Sequence, residues 1–321
     1  MRVLRCGDPH ITVRNMEDAQ NLLAFIYKLA VDQKVDQVEF LGDLMHTHAV
    51  IRVEVLEFWR VTLHALADKF NVIALVGNHD QPGSKEKEQV MNALNVFKGI
   101  EGVSIINKPM ILNQIAYIPY MSDKDAFIQA AATLYASGAT KLLIAHQNFT
   151  VPLYSDLIDP NVILQDNIIT GHIHESKQIG KVFQVGTPKW DTLTDANEDK
   201  GVWIYEHNED GSVKSRNFFS TKGVVVAIEK HTITEGGVEP ELPEGSKNYV
   251  ELIGSSVWIN EMKKKYKGLA SIKARPSDRK NVKPNKDRNV NVFEFLTETF
   301  KPMDGVDKKD IQSYLEGVIN G

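Results

Sequence analysis

Hydrophobic and polar positions along the first hundred residues switch repeatedly between two periods. Residues 3–6 form a short apolar run of strand length. Ala19, Leu22, Leu23, Ile26, Leu29 and Ala30 then recur at helical spacing behind Asn15, a side chain of N-cap type. Residues 35–41 read as the next strand, and Val53, Leu56, Trp59, Leu63, Leu66 and Phe70 mark a second amphipathic helix. Residues 72–76 are almost continuously apolar, as in strands covered on both faces. This alternation predicts parallel strands with crossover helices on the sheet faces.

Beyond Asn92 the pattern is richer in strands: 103–106, 111–118, 142–145, 168–169, 183–185, 202–205 and 215–219, with one helix over about 124–137. So many strands predict an α/β fold of two packed sheets with helices outside. Near Ser220 the pattern changes. Strand-like runs at 224–228 and 249–253 flank a turn-rich stretch at 235–245 and lead into a basic segment, as expected of a small appended domain. After Val290 come Val292, Phe293, Phe295, Leu296 and Phe300, a Pro302/Gly305 break, then Ile311, Leu315, Val318 and Ile319, which predict two short amphipathic helices. The expected division is 1–221, 222–288 and 289–321.

Composition narrows the class. At 321 residues and 42% hydrophobic, the chain can bury a sizeable core, and no apolar run approaches bilayer length, so no membrane span is expected. The first motif begins at Asp8, which argues against a cleaved leader and for a cytoplasmic location. The single cysteine, Cys6, cannot form an intramolecular disulfide and reads as a small buried apolar residue in a reducing compartment. The net charge of -5 hides a strong asymmetry: residues 261–288 hold eleven basic residues against three acidic ones, a local balance of +8. Lys263, Lys264 and Lys265 open that stretch and are candidate contacts to DNA phosphates, although a solvated helix face would look the same.

Five short signatures carry the chemistry: Asp8-Pro9-His10, Gly42-Asp43, Gly77-Asn78-His79-Asp80, His146, and Gly171-His172-Ile173-His174. Each directly follows an apolar run, and ligands in open α/β sheets collect beyond the carboxyl ends of strands. Hydrolysis of a phosphodiester by two close divalent cations requires a bridging carboxylate and further neutral donors. Asp8, Asp43 and Asn78 supply oxygens and His10, His146, His172 and His174 supply nitrogens, a mixed set suited to manganese, iron or zinc, with magnesium a lesser alternative.

With Asp43 as the bridge, His79 is placed to donate a proton or hydrogen bond to a leaving oxygen, and Asp80 to hold that imidazole or else to cap the turn before Pro82. If the segment after Asp43 is extended, only one of His46 and His48 can face the cleft, and His46 is the candidate substrate contact. His64, His207 and His231 read as surface imidazoles, and Trp59 and Trp203 as core.

These residues resemble the calcineurin-like metallophosphoesterase superfamily and, within it, nuclease subunits of the SbcD/Mre type, the phage recombination endonuclease subunit among them. Gly-Asp-Leu-Met-His at 42–46, Gly-Asn-His-Asp at 77–80, Leu-Ile-Ala-His-Gln at 143–147, Gly-His-Ile-His at 171–174 and Val-Gly-Thr-Pro at 185–188 carry the resemblance, over roughly 1–220. It implies a four-layer α/β/β/α sandwich of two mixed sheets with a small C-terminal capping domain.

It further implies one metal on Asp8, His10, Asp43 and His174, a second on Asp43, Asn78, His146 and His172, and a catalytic His79. The family acts on DNA as a manganese-dependent exo- and endonuclease, usually as a homodimer with an SMC-like ATPase of the SbcC/Rad type, for which 289–321 is a candidate docking segment. Met45-His46-Thr47-His48 stands where protein phosphatases of the superfamily carry Asp-Arg-Gly, which argues against a phosphoprotein substrate. The alternatives are a phosphodiesterase for a small diester, such as a cyclic nucleotide, and a non-catalytic scaffold for DNA or an ATPase.

Overall fold

The computed structural model describes residues 1–48, 50–82, 91–149 and 157–278. The predicted C-terminal helices at 289–321 and the last five basic residues of the 261–288 stretch lie outside them. Along the chain come β1 (Arg2–Cys6), α1 (Met16–Asp32), β2 (Gln37–Phe40), α2 (Val53–Ala67), β3 (Asn71–Leu75), β4 (Val103–Ile106), β5 (Met110–Leu112) and β6 (Ile115–Ile118). They are followed by α3 (Lys124–Ala136), β7 (Leu142–His146), β8 (Asn167–Gly171), β9 (Lys177–Ile179), β10 (Val182–Gln184), β11 (Gly201–His207) and β12 (Val213–Ser220). Last are β13 (Ile228–Thr234), β14 (Lys247–Gly254), α4 (Ser256–Lys265) and β15 (Ser271–Pro276).

Two six-stranded mixed sheets form the body. The first is ordered β12-β11-β1-β2-β3-β4 and the second β5-β6-β7-β8-β10-β9. β1 to β4 pair in parallel, as do β6 to β8 and β8 with β10, while β11, β12, β5 and β9 close the sheets antiparallel. Leu22, Ile26, Trp59 and Leu63 bury the stripes of α1 and α2 on one face of the first sheet, and Phe127, Ala131 and Leu134 bury α3 on the second. Between the sheets lie Leu41, Ile73, Leu75, Tyr117, Leu142, Ile144 and Ile169. The result is four layers, α/β/β/α, as expected.

The described residues divide into two compact units. The first comprises Met1–His231, Pro240–Val250 and Gly268–Ser271; the second comprises Thr232–Glu239, Glu251–Lys267 and 272–278. The first unit thus runs ten residues past the boundary expected at 221, because Val225, Ala227 and Ile228 are buried in its core. A separate three-stranded sheet is ordered β13-β14-β15. No helix among the described residues is long and apolar enough to cross a membrane.

Three local expectations are corrected. The apolar run 111–118 is not one strand but the hairpin β5–β6, turned at Asn113 and Gln114, both at positive φ (50° and 65°) as the tightest hairpin turns require. The run 224–228 is not itself a strand; 224–227 pack as a turn against the core, with a single bridge from Lys222 to Val225, and β13 begins only at Ile228. Asn15 makes no side-chain cap at the start of α1, because it closes a preceding 3-10 turn, where Thr12 N–H donates to its Oδ1 at 2.7 Å.

Candidate metal centre

The loops after β1, β2, β3, β7 and β8 all leave the carboxyl ends of parallel strands in the first unit, and they bring the five signatures together. Asp8, His10, Asp43 and His146 are each 4% exposed or less. The backbone there is held in rare conformations. Asp8, His10, Asp43 and His172 have positive φ (22°, 45°, 51° and 79°), a left-handed region that costs a side-chain-bearing residue free energy and persists only where the surroundings over-determine it.

The glycines of the signatures explain the close convergence. A Cβ on Gly77 would lie 2.1 Å from Asp43 Oδ1, and one on Gly42 would lie 2.2 Å from the His146 ring. Backbone N–H groups then aim the carboxylates: His79 N donates to Asp43 Oδ1 at 2.8 Å, and His172 N to Asp8 Oδ1 at 2.9 Å. Behind the Asp43 loop, buried Trp59 donates through Nε1 to the Leu44 carbonyl at 3.1 Å, which gives that core tryptophan a positioning role.

The donors fall into two sets that meet at Asp43. Oδ1 of Asp43 faces His146 Nε2 at 3.4 Å, and Asn78 Oδ1 lies 3.0 Å from His146 Nε2 and 2.8 Å from His172 Nδ1. Oδ2 of Asp43 faces His10 Nε2 at 3.6 Å, and His10 Nε2 lies 3.4 Å from His174 Nε2. The groups Asp43/His146/His172 and Asp8/His10/Asp43 each bring one ligand atom per residue close enough to share a cation.

The electrostatics of the same atoms fit cations. His146 Nδ1 is occupied by the Leu41 carbonyl at 2.7 Å, so Nε2 points at two oxygen acceptors. Burial alone lowers the affinity of His146 for a proton, but Asp43 and then Asp8 outweigh it and raise the group to about 9. Burial, with Asp43 nearby, pushes Asp8 up to about 7. His10, by contrast, is kept neutral by burial, as a ligand must be, and its Nδ1 is buried without a hydrogen-bond partner among the described residues. Mixed imidazole, carboxylate and amide donors of this kind fit divalent transition metals.

Around this centre the roles divide less simply than expected. Nδ1 of His79 lies 2.6 Å from the His46 carbonyl, and Nε2 has no hydrogen-bond partner among the described residues. Asp80 does not hold His79: its carboxylate accepts from Gly77 N at 2.9 Å and Met45 N at 3.1 Å, tying the β2 and β3 loops together. His46 and His48 do not face opposite ways, because the segment bends instead of extending. Both flank His79, with ring centroids 5.6 and 4.1 Å away, and His48 Nδ1 reaches the Asn78 carbonyl at 2.9 Å.

Two contributors were missed. Asp195 Oδ1, in a 3-10 turn at Leu193–Asp195, lies 3.6 Å from His174 Nδ1 and 3.0 Å from buried Lys200 Nζ, so it fixes the His174 ring. Its only sequence signal is the Thr192-to-Asp195 capping box. Tyr120, just beyond β6, stacks on His172 at 5.8 Å. Lys263, Lys264 and Lys265 stand exposed in the last turn of α4 in the second unit, Lys265 paired to Glu239 at 2.6 Å.

A two-sheet α/β/β/α body with clustered imidazole and carboxylate donors at its strand ends defines a metal-binding hydrolase of the phosphoesterase class. The chain belongs to the calcineurin-like phosphoesterase family, whose model matches residues 1–176. It is similar to "Putative phosphoesterase 078R" of invertebrate iridescent virus 3, at 27% identity over 154 residues, 46% of this chain and 44% of the viral protein. It is also similar to "Exonuclease subunit 1" of enterobacteria phage T4, at 21% identity over 231 residues, 64% of this chain and 65% of the phage protein. The chain therefore spans less than two thirds of the length of either relative. Among solved structures, TT1561 of Thermus thermophilus aligns with a TM-score of 0.39 at 14% identity, covering 58% of this chain and 89% of that one.

Proposed function

We propose that this phosphoesterase is a DNA nuclease of the SbcD/Mre type that hydrolyses phosphodiester bonds with two divalent metals, manganese by preference. The observation that carries the two-metal reading is the division of donors at Asp43, one carboxylate oxygen to each set. Asp8, His10, Asp43 and His174 would hold one cation, and Asp43, Asn78, His146 and His172 the other. Such a pair supplies a water-derived nucleophile near neutral pH and neutralises phosphoryl charge.

The protein's own contribution beyond the ligands is proton management. With Nδ1–H of His79 donating to the His46 carbonyl, Nε2 is the nitrogen offered to the leaving oxygen, and because burial lowers the ring's affinity for a proton, a proton taken up at Nε2 is readily given to that oxygen. Asp195 and Leu41 hold the His174 and His146 rings so that their ligand nitrogens face inward.

The similarity to the phage exonuclease subunit, which runs past residues 1–176, supports a nucleic acid as substrate, and DNA is the one this reading takes. The exposed lysines of α4 add phosphate contacts, and in this reading the enzyme works as a homodimer with an SMC-like ATPase in the cytoplasm. The test is a nuclease assay with manganese, magnesium and zinc on linear duplex, hairpin and single-stranded DNA, with and without a co-expressed ATPase. Manganese-dependent cleavage is expected. Turnover of a cyclic nucleotide with indifference to DNA would instead establish a small-diester phosphodiesterase.

A further inference from the structure

Four imidazoles crowd one end of the metal centre. His10 meets His79 edge-on with ring centroids 4.7 Å apart, and meets His46 edge-on at 5.3 Å. His46 and His48 both lie nearly parallel to His79, at 5.6 and 4.1 Å. Of the four, only His10 is a donor in either set that meets at Asp43. Yet one ring nitrogen from each of His10, His46 and His79 lies within 4.8 Å of the other two.

That spacing is close to what a single ion needs. Three nitrogens bound tetrahedrally at about 2.0–2.1 Å stand roughly 3.4 Å apart, a distance that small side-chain rotations reach. The backbones are already tied to the Asp43 loop. His10 N donates to the Asp43 carbonyl at 3.0 Å, His79 N to Asp43 Oδ1 at 2.8 Å, and Nδ1 of His79 lies 2.6 Å from the His46 carbonyl. Donor atoms remain on all three rings. Nε2 of His79 and the ring of exposed His46 have no hydrogen-bond partner among the described residues. His10 has donor capacity beyond one metal, because Nε2 faces Asp43 and His174 while its buried Nδ1 is left without a hydrogen-bond partner among the described residues.

The chemistry of this trio differs from that of the two sets at Asp43. It contains no carboxylate or amide oxygen. Three neutral imidazoles with an open fourth position are a zinc arrangement, whereas manganese and magnesium favour oxygen donors. One of the three nitrogens is also the one offered to the leaving oxygen, and an ion on Nε2 of His79 occupies the lone pair that a proton would use.

We propose that His10, His46 and His79 form a further cation seat, selective for zinc over manganese, whose occupation arrests the enzyme by taking Nε2 of His79. The seat stands on the geometry, and the arrest rests on the part given to His79 in the reading above.

The test uses the full chain in excess manganese, which keeps both sets at Asp43 filled, and adds zinc in small steps. Bound zinc and retained manganese are counted by elemental analysis after equilibrium dialysis, and rates are read on bis(p-nitrophenyl) phosphate and a labelled oligodeoxynucleotide. Wild type should take up a single zinc per chain without losing manganese, and both rates should fall about 10²-fold or more as it does. His46→Ala should weaken zinc binding about tenfold or more, since loss of even an outer partner of a ligand costs about 10–100-fold in affinity. The zinc concentration that halves the variant's own rate should rise by the same factor. His64→Ala, which removes an exposed imidazole from α2, should change neither zinc value, and unchanged melting temperatures confirm folding.

Zinc that enters only as manganese leaves, or that His46→Ala binds as well as wild type does, would overturn the seat. Zinc held through His46 with both rates unchanged would overturn the arrest, and the role of His79 with it, while leaving the seat. A wild type inert on both probes would overturn the proposed nuclease, and the zinc count alone would then decide the seat.

Discussion

The imidazole of His79 lies edge-on to His10, ring centroids 4.7 Å apart, and is flanked by His46 and His48, and its two nitrogens are not equivalent. Because Nδ1 is engaged by the His46 carbonyl at 2.6 Å, replacing the ring removes the Nε2 donor while leaving the ligands in place. In the proposed manganese-dependent nuclease, His79→Ala should therefore lower kcat/KM for nicking by about 10²–10⁴-fold, with metal content by elemental analysis nearly unchanged; nicking at wild-type rate would remove His79 from the chemistry. Gly42 is a more demanding position. At φ +105°, with the His146 ring 2.2 Å from where a Cβ would stand, Gly42→Ala should cost about 1–3 kcal/mol of unfolding free energy through overpacking. The same denaturation series, run with and without manganese, should show reduced metal stabilisation.

The hairpin β5–β6 shows how an element can hide in an apolar run. Residues 111–118 offer no glycine, and only the paired register of Met110 with Tyr117 and Leu112 with Ile115 reveals a turn at Asn113 and Gln114. Asn tolerates left-handed backbone and Gln does so poorly. Gln114→Gly should relieve that conformation and stabilise the protein by about 0.5–1 kcal/mol in urea unfolding, after allowance for the entropy glycine adds to the unfolded chain. A loss of stability would mean that the Gln114 side chain makes contacts outweighing its strain. β9 was missed for a related reason: a three-residue strand with polar, exposed positions has no periodic signature and exists because a neighbour offers its edge. β15 does alternate polar and apolar positions, but it lies within the basic stretch that was read for its charge.

Between the two sheets, a buried polar cluster stands where hydrophobic packing would be expected. Arg5, Glu39, Tyr117 and Tyr205 are each 1% exposed or less. Glu39 accepts from Arg5 Nε at 2.6 Å, Gln37 at 2.5 Å and Tyr117 at 2.6 Å. Glu39→Gln should cost about 3–5 kcal/mol, because it leaves the guanidinium buried without a counter-charge. Replacing both partners by apolar residues should cost much less, and equal losses in a double-mutant cycle would show that the pair is not the unit of stability.

His207, read from sequence as a surface imidazole, is 6% exposed, because β11 lies between β1 and β12 and its end is covered. Its Nε2 lies 2.9 Å from Arg5 Nη1 and its Nδ1 3.1 Å from the Gly211 carbonyl, so the folded protein holds it neutral. Burial and then Arg5 lower it from 6.5 to about 4. The unfolded chain then takes up the proton first, so stability should fall as pH drops from about 6.5 towards about 4 and level off below. His207→Gln should flatten that part of the urea-midpoint profile; an identical slope would assign the acid sensitivity to the carboxylates.

The sequence alone determined the alternation of strand and helix, the α/β class and the set of residues that meet at Asp43, because each depends on local periodicity or on motifs placed directly after a strand. The partners of those residues were decided only by the tertiary structure. That Asp80 braces two loops, that His46 and His48 both flank His79, and that Asp195 steadies His174 all follow from chain bends and from contacts between distant segments. A side chain's hydrogen-bond partner is set by where other strands end in space, and neither spacing along the chain nor residue type records that position.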